Sequence, residues 1–170
     1  MDGENVPGTS NISLDDDFEK TMKKLEVLEE ARAQLHRALQ HAHFSLSIAQ
    51  RDMDRVGLLL SWEAVPTGHG TVQAQRHVVR KNSASSVGDS RASGSSLEDC
   101  ARWELVVAST EEKGDPALWF AAAPSEVLRE SQRNFVSVVQ LCIAAVQAQE
   151  EAVAAAAAYD AAHTGASLLS

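Results

Sequence analysis

Residues 14–56, LDDDFEKTMKKLEVLEEARAQLHRALQHAHFSLSIAQRDMDRV, decide the fold. Alternating steps of four and three along them visit Leu14, Phe18, Thr21, Leu25, Leu28, Arg32, Leu35, Leu39, Ala42, Leu46, Ala49, Met53 and Val56. Only Thr21 and Arg32 break the apolar run, and the stretch contains neither Pro nor Gly. A sustained 4-3 spacing keeps a narrow apolar stripe on one side of a slightly underwound helix, the pattern of a coiled coil. At a rise of ~1.5 Å per residue the segment spans on the order of 60 Å. A small globule cannot bury that length, so the stripe calls for a second long helix.

The other end of the chain supplies one. Pro124 suits the first helical position, where its missing N–H is not needed, and Ser125 and Glu126 suit the first turn. The 4-3 walk from there gives Leu128, Gln132, Phe135, Val139, Cys142, Val146, Gln149, Val153 and Ala156, with Val138, Leu141 and Ala145 in a neighbouring row. The run Ala154–Ala158 has high helix propensity, and Gly165 is the expected stop. Small side chains let helices approach closely. The Ala-rich end is therefore expected to lie against the start of the first helix, the two running antiparallel. The expected seam includes Leu25, Leu28, Leu35, Leu39 and Leu46 on one side and Leu128, Phe135, Val139 and Val146 on the other.

These readings divide the chain into a disordered tail (1–12), a first helix (13–57), a middle segment (58–123), a second helix (124–164) and a short tail (165–170). Ser13 is the expected N-cap of the first helix, with Asp15, Asp16 and Asp17 in its first turn, and Gly57 its stop. In the middle, Thr71–Val79 is rich in β-formers, and Trp103-Glu104-Leu105-Val106-Val107 alternates Trp103, Leu105 and Val107 to one face. These two stretches can pair as a small hairpin across a Ser-rich flexible loop (81–96). A lone hairpin is marginal in water, so it must rest on the helices. The fold class expected is all-α dominated: an antiparallel two-helix coiled-coil hairpin carrying a small β-hairpin and a loop between its arms.

Composition agrees with long helices more than with a thick core. Of 170 residues, 44% are hydrophobic but only 5% aromatic, and the net charge is -9. That charge, with no basic stripe in the sequence, argues against nucleic acid or anionic lipid as a partner. The start Met1-Asp2-Gly3-Glu4 has no secretory pattern, and no run reaches the ~20 apolar residues of a membrane span. Cys100 and Cys142 show no framework spacing and are read as reduced thiols of a cytosolic protein.

No catalytic, cofactor or metal site is expected. His36, His41 and His43 are offset by five and two residues, which does not place two imidazoles on one helical face. His69, His77 and His163 lie elsewhere, and neither cysteine has a His or Cys at ligand spacing. Neither a G-x-S-x-G elbow nor a phosphate-binding loop appears. What remains is surface chemistry. Trp62, Trp103, Trp119 and Phe120, with Leu58–Leu60, hold most of the large side chains outside the helices. Such residues either fill a small core where the β segment meets the helix ends or anchor a partner.

Two junctions resemble a known family. The run His43-Phe44-Ser45-Leu46-Ser47-Ile48-Ala49-Gln50-Arg51 is similar to the matching helix end in vacuolar-ATPase assembly factors of the coiled-coil domain-containing protein 115 family. Asp115-Pro116-Ala117-Leu118-Trp119-Phe120, followed by Pro124-Ser125, Leu128-Arg129, Gln132 and Phe135, resembles that family's Asp-Pro-x-x-Trp-Phe segment and Pro-started second helix. The likeness covers both helices and their inner ends; the Ser-rich linker stands before the Trp103 strand, where the family's variable linker follows it. The resemblance implies a non-enzymatic factor that assembles the membrane sector of the proton-pumping vacuolar ATPase. It implies a site at the endoplasmic reticulum, reached through a small membrane-embedded partner without direct insertion. Trp62, Asp115, Pro116, Trp119 and Phe120 are the expected partner contacts. A prefoldin-like chaperone subunit and a plain coiled-coil tether are the alternatives, the first separable by a hexameric mass.

Overall fold

The computed structural model describes residues 9–68, 72, 74–81, 102–108 and 115–167, with side chains at 9–14 and 165–167 excepted. Two long helices, α1 (Thr9–Arg55) and α2 (Glu126–Ser167), pack against each other over most of their length. They are antiparallel. Near the start of α1 the Phe18 ring lies 6.0 Å from that of Tyr159 and Lys24 Nζ is 2.6 Å from Glu151 Oε2; at its end Ala49 and Met53 cluster with Leu128. The Ala-rich end of α2 thus lies beside the beginning of α1, as its small side chains require.

The helix ends differ in detail from the sequence reading. α1 starts at Thr9, four residues ahead of Ser13, so the expected tail 1–12 gives its last residues to the helix. Nothing in Thr9-Ser10-Asn11-Ile12 forbids helical backbone, and the breakers Pro7 and Gly8 come just before it. Asp15, Asp16 and Asp17 therefore lie beyond the first turn. At the far end Gly57 adopts φ +72, its N–H donating to the Asp54 carbonyl while Leu58 N–H donates to that of Met53. This pair of bonds satisfies carbonyls that the helix leaves open, and the left-handed residue between them favours glycine.

Glu126, not Pro124, is the first residue of α2, and Ser125 caps it. The Ser125 Oγ accepts from the Leu128 N–H at 3.3 Å and its carbonyl from Arg129 N–H at 3.1 Å, which makes Ser125 the cap and Pro124 the residue before it. Gly165 does not stop the helix, which runs to Ser167. One interior glycine costs only about 1 kcal/mol against alanine, too little to end a helix by itself.

Contact between the helices is rotated from the expected stripe. On α1 the covered rows are Thr21, Leu28, Leu35, Ala42, Ala49 and Lys24, Ala31, Ala38, Ser45, Asp52. Ala42 and Ala49 are wholly buried. On α2 they are Ser131, Val138, Ala145, Ala152 and Asn134, Leu141, Ala148, Ala155. Leu28 and Leu128 are buried, and Leu35, Leu39, Leu46 and Phe135 half-buried. Leu25, Val139 and Val146 are corrected from seam to flank, at 40%, 39% and 45% exposure. The cause is size: the Ala and Ser side chains within these rows let the backbones approach, and the bulkier Leu25, Val139 and Val146 are left beside the line of contact. One apolar cluster, Leu28 with Ala148 and Ala152, lies near mid-length of the pair, and a second, Ala49, Met53, Ala117 and Leu128, closes the end where the chain turns between the helices.

The middle segment forms a two-stranded antiparallel sheet of β1 (Arg76–Lys81) and β2 (Arg102–Val107), with Arg76 opposite Val107 and Lys81 opposite Arg102. β1 begins later than the expected Thr71, and residues 71 and 73 lie outside the described set. So do the Ser-rich loop after Lys81, Cys100, and the first eight residues of the expected tail. The sheet lies along the side of α2 facing away from α1, near Val136, Gln140, Ile143 and Glu150. Trp103 fixes it there. Its indole N–H donates to Glu150 Oε1 at 3.1 Å, and the Arg80 guanidinium, directly across the ladder, lies 5.5 Å over its ring and 3.7 Å from the same carboxylate.

Candidate partner-binding surface

At the end of the hairpin where the chain leaves α1 and enters α2, two short turns pack on one apolar cluster. The first is a 3-10 turn, Trp62–Ala64, preceded by Leu58-Leu59-Leu60. The second is the 3-10 turn Pro116–Trp119. Leu60 and Phe120 both rest against Ala49, Met53, Ala117 and Leu128, which brings the two segments to the same place.

Asp115 organises the second turn. Its Oδ1 accepts the Ala117 N–H at 3.0 Å, its carbonyl accepts the Leu118 N–H at 2.9 Å, and its Oδ2 sits 3.3 Å from Arg129 Nη2 on α2. Pro116, at the first position, needs no N–H partner and holds φ near the value the turn requires. Ala117 is driven into the core. Asp115 and Pro116 are thus half-buried and hold the turn in place. Trp119 is half-buried, and Phe120 closes the cluster with its N–H bonded to the Ala117 carbonyl at 3.2 Å.

Trp62 behaves differently. It is 80% exposed, and its neighbours in sequence, Val56 and Leu59, are 68% and 66% exposed. Leu58 and Leu118 add partly exposed aliphatic surface. The four aromatics named in the sequence therefore split: Trp103 clamps the sheet, Phe120 covers the helix ends, Trp119 is half-buried beside it in sequence, and Trp62 faces solvent. Leu118, named in the sequence only within the Asp115–Phe120 segment, is 48% exposed; its position between the buried Ala117 and Trp119 in a one-turn helix places it outward. Scattered exposed aliphatics are ordinary, but a Trp and several Leu and Val side chains on one turn form a surface suited to another protein. Beside it the Glu63 carboxyl is held below its ordinary range, first by the Ser61 hydroxyl and then by its own N–H. The Glu126 carboxyl is lowered by its hydrogen bond to Arg133, 2.5 Å away.

Histidines fall in separate places. His36 contacts Gln40, His43 meets Phe135 edge-on at 5.7 Å, His163 lies 6.0 Å from Tyr159, and His77 is exposed on β1, while His69 is outside the described residues. Among the described residues there is no group of three or more His, Cys, Asp or Glu side chains placed to hold a metal ion. Nor, among them, is any helix long and apolar enough to cross a membrane. Compared with known proteins, the chain matches no family model, and no curated protein matches it significantly.

Proposed function

We propose that this chain is a non-enzymatic assembly factor for the membrane sector of the vacuolar proton-pumping ATPase, acting at the endoplasmic reticulum through protein contacts. The observation that carries this reading is the exposed turn Val56–Trp62, set beside the Asp115–Phe120 segment that bears the family resemblance. A rigid hairpin with one apolar tip holds a client by burying that tip, and a patch this small releases it again. The membrane-embedded partner and the membrane-sector subunits are the proposed clients, reached without insertion of this chain into the bilayer. Affinity capture of the full chain from detergent-solubilised cells is expected to recover membrane-sector subunits or their assembly partner. Trp62→Ala is expected to lose them while its circular-dichroism melt is unchanged. Recovery of none of these proteins by the wild-type chain sinks the proposal.

The helix–two strands–helix order also suits a prefoldin-like subunit, since a two-stranded sheet leaves outer strand edges for neighbouring subunits. Sedimentation separates the readings: a stable hexamer favours the prefoldin-like one.

A further inference from the structure

The helices carry more apolar surface than their own contact uses, and on one flank the excess runs along both helices. On α1 the row is Phe18, Leu25, Arg32, Leu39 and Leu46; on α2 it is Phe135, Cys142, Gln149 and Ala156. The rows are side by side, as Arg32 Nη2 reaches Gln149 Oε1 at 3.3 Å. Next to them on α2 runs Val139, Val146 and Val153, the last 62% exposed. On the opposite flank the apolar side chains are interrupted, with Gln34 and His41 between Val27 and Ile48 on α1 and with Glu130, Ser137 and Glu151 on α2. The sheet does not cover the apolar flank, because it rests on Val136, Gln140, Ile143 and Glu150.

The geometry points to this flank as the seat of a third helix from another protein, an amphipathic helix with an apolar 4-3 stripe and one acidic residue near its middle. Period fixes the kind of element: both rows repeat every seven residues, which matches knobs from a helix and not from a strand or loop. Charge fixes the partner. Within these rows Arg32 is the single ionised side chain, and its hydrogen-bond partner is the neutral amide of Gln149. Among the described residues Arg32 makes no ion pair. Covering it with an apolar helix would strand a cation; covering it with a second copy of this chain would bring another Arg32 and no acid. A carboxylate on the incoming helix satisfies the charge and sets the register, as a lone polar residue does in coiled coils.

The test uses the full chain and two synthetic amphipathic helices, with Leu at the a and d positions and either Glu or Lys at one central a position. Fluorescence anisotropy is expected to show the Glu helix binding about tenfold more tightly than its Lys twin, about 1.4 kcal/mol. Arg32→Glu is expected to reverse the preference, and Val146→Lys to weaken binding of both. Trp62→Ala is expected to leave it unchanged, which keeps this result separate from the fate of the tip. Circular dichroism of each variant controls for folding. Equal binding of the twins, binding of neither, or a preference surviving Arg32→Glu overturns the inference. So does a dimer of the free chain that Val146→Lys dissociates, because the flank is then filled by a second copy.

Discussion

Ala42 and Ala49 set the distance between the helices, since neither side chain retains any exposure. Ser45 completes this stretch by donating its hydroxyl to the Ala42 carbonyl at 2.8 Å, so its polar group costs nothing when buried. Thr21 does the same near the other end, its Oγ1 2.9 Å from the Asp17 carbonyl and 3.4 Å from that of Ala155 across the seam. Ala42→Leu must push the backbones apart, and a loss of about 1–3 kcal/mol is expected in urea unfolding. Asn134 is the contrary case: its Nδ2 is buried without a hydrogen-bond partner. Asn134→Ala is therefore expected to be near neutral, whereas Leu28→Ala, from a buried cluster, costs about 2–5 kcal/mol. An Asn134→Ala loss as large as the Leu28→Ala loss would show that the amide is satisfied in solution.

At the scale of elements, the sheet depends on α2 far more than α2 depends on the sheet. Every residue of β1 is exposed, and β2 offers only Trp103 and Leu105 as partly covered side chains. Trp103→Ala removes the indole that joins Arg80 and Glu150. Amide hydrogen exchange is expected to lose protection at 76–81 and 102–107 while the helix amides keep theirs. Helix starts respond to pH through their carboxylates. Glu126 is lowered by Arg133, and Glu19 by Lys23 in the exposed first part of α1. A carboxyl depressed in the folded state contributes stability that is complete above its unfolded value of about 4.3 and is lost as pH falls through the folded value. Unfolding midpoints are expected to be flat from pH 7 to about 5 and to drop below about 4. Both groups are solvent-exposed, so the drop is expected to shrink in high salt.

For the whole molecule, the core is a thin line of contact with one apolar cluster near its middle and one at the connected end, and among the described residues no large side chain is fully buried. Leu28 belongs to a cluster near mid-length of the helix pair and Leu128 to the one at its connected end, with no residue shared between them. If the hairpin unfolds as one unit, Leu28→Ala and Leu128→Ala are expected to add within about 0.5 kcal/mol, with a single transition by calorimetry. Two transitions would mean that the two clusters melt separately. A thin core of this kind leaves surface to spare, which is why the tip at Trp62 and the flank at Val146 and Val153 remain open.

Much of this architecture is written in local chemistry. The long helix implied by the 4-3 pattern from Leu14, and Gly57 as its stop, follow from periods and backbone preferences that act within a few residues, and both appear in the fold. Of the expected alternation Trp103, Leu105 and Val107, the first two are partly covered while Val107 is 62% exposed. The sequence could also name the aromatic junction, because large side chains outside helices are few. It could not choose between adjacent helical faces. Leu25 and Ala31 both lie near the apolar side of α1, and only the presence of α2, with Ala145, Ala148 and Ala152 opposite, decided that Ala31 takes the contact and Leu25 its edge. The roles of Asp115, tied to Arg129, and of Glu150, tied to Trp103, likewise needed partners distant in the chain. Periodicity is a property of one element; which face is covered depends on the shape of its neighbour, and that exists only once the chain has folded.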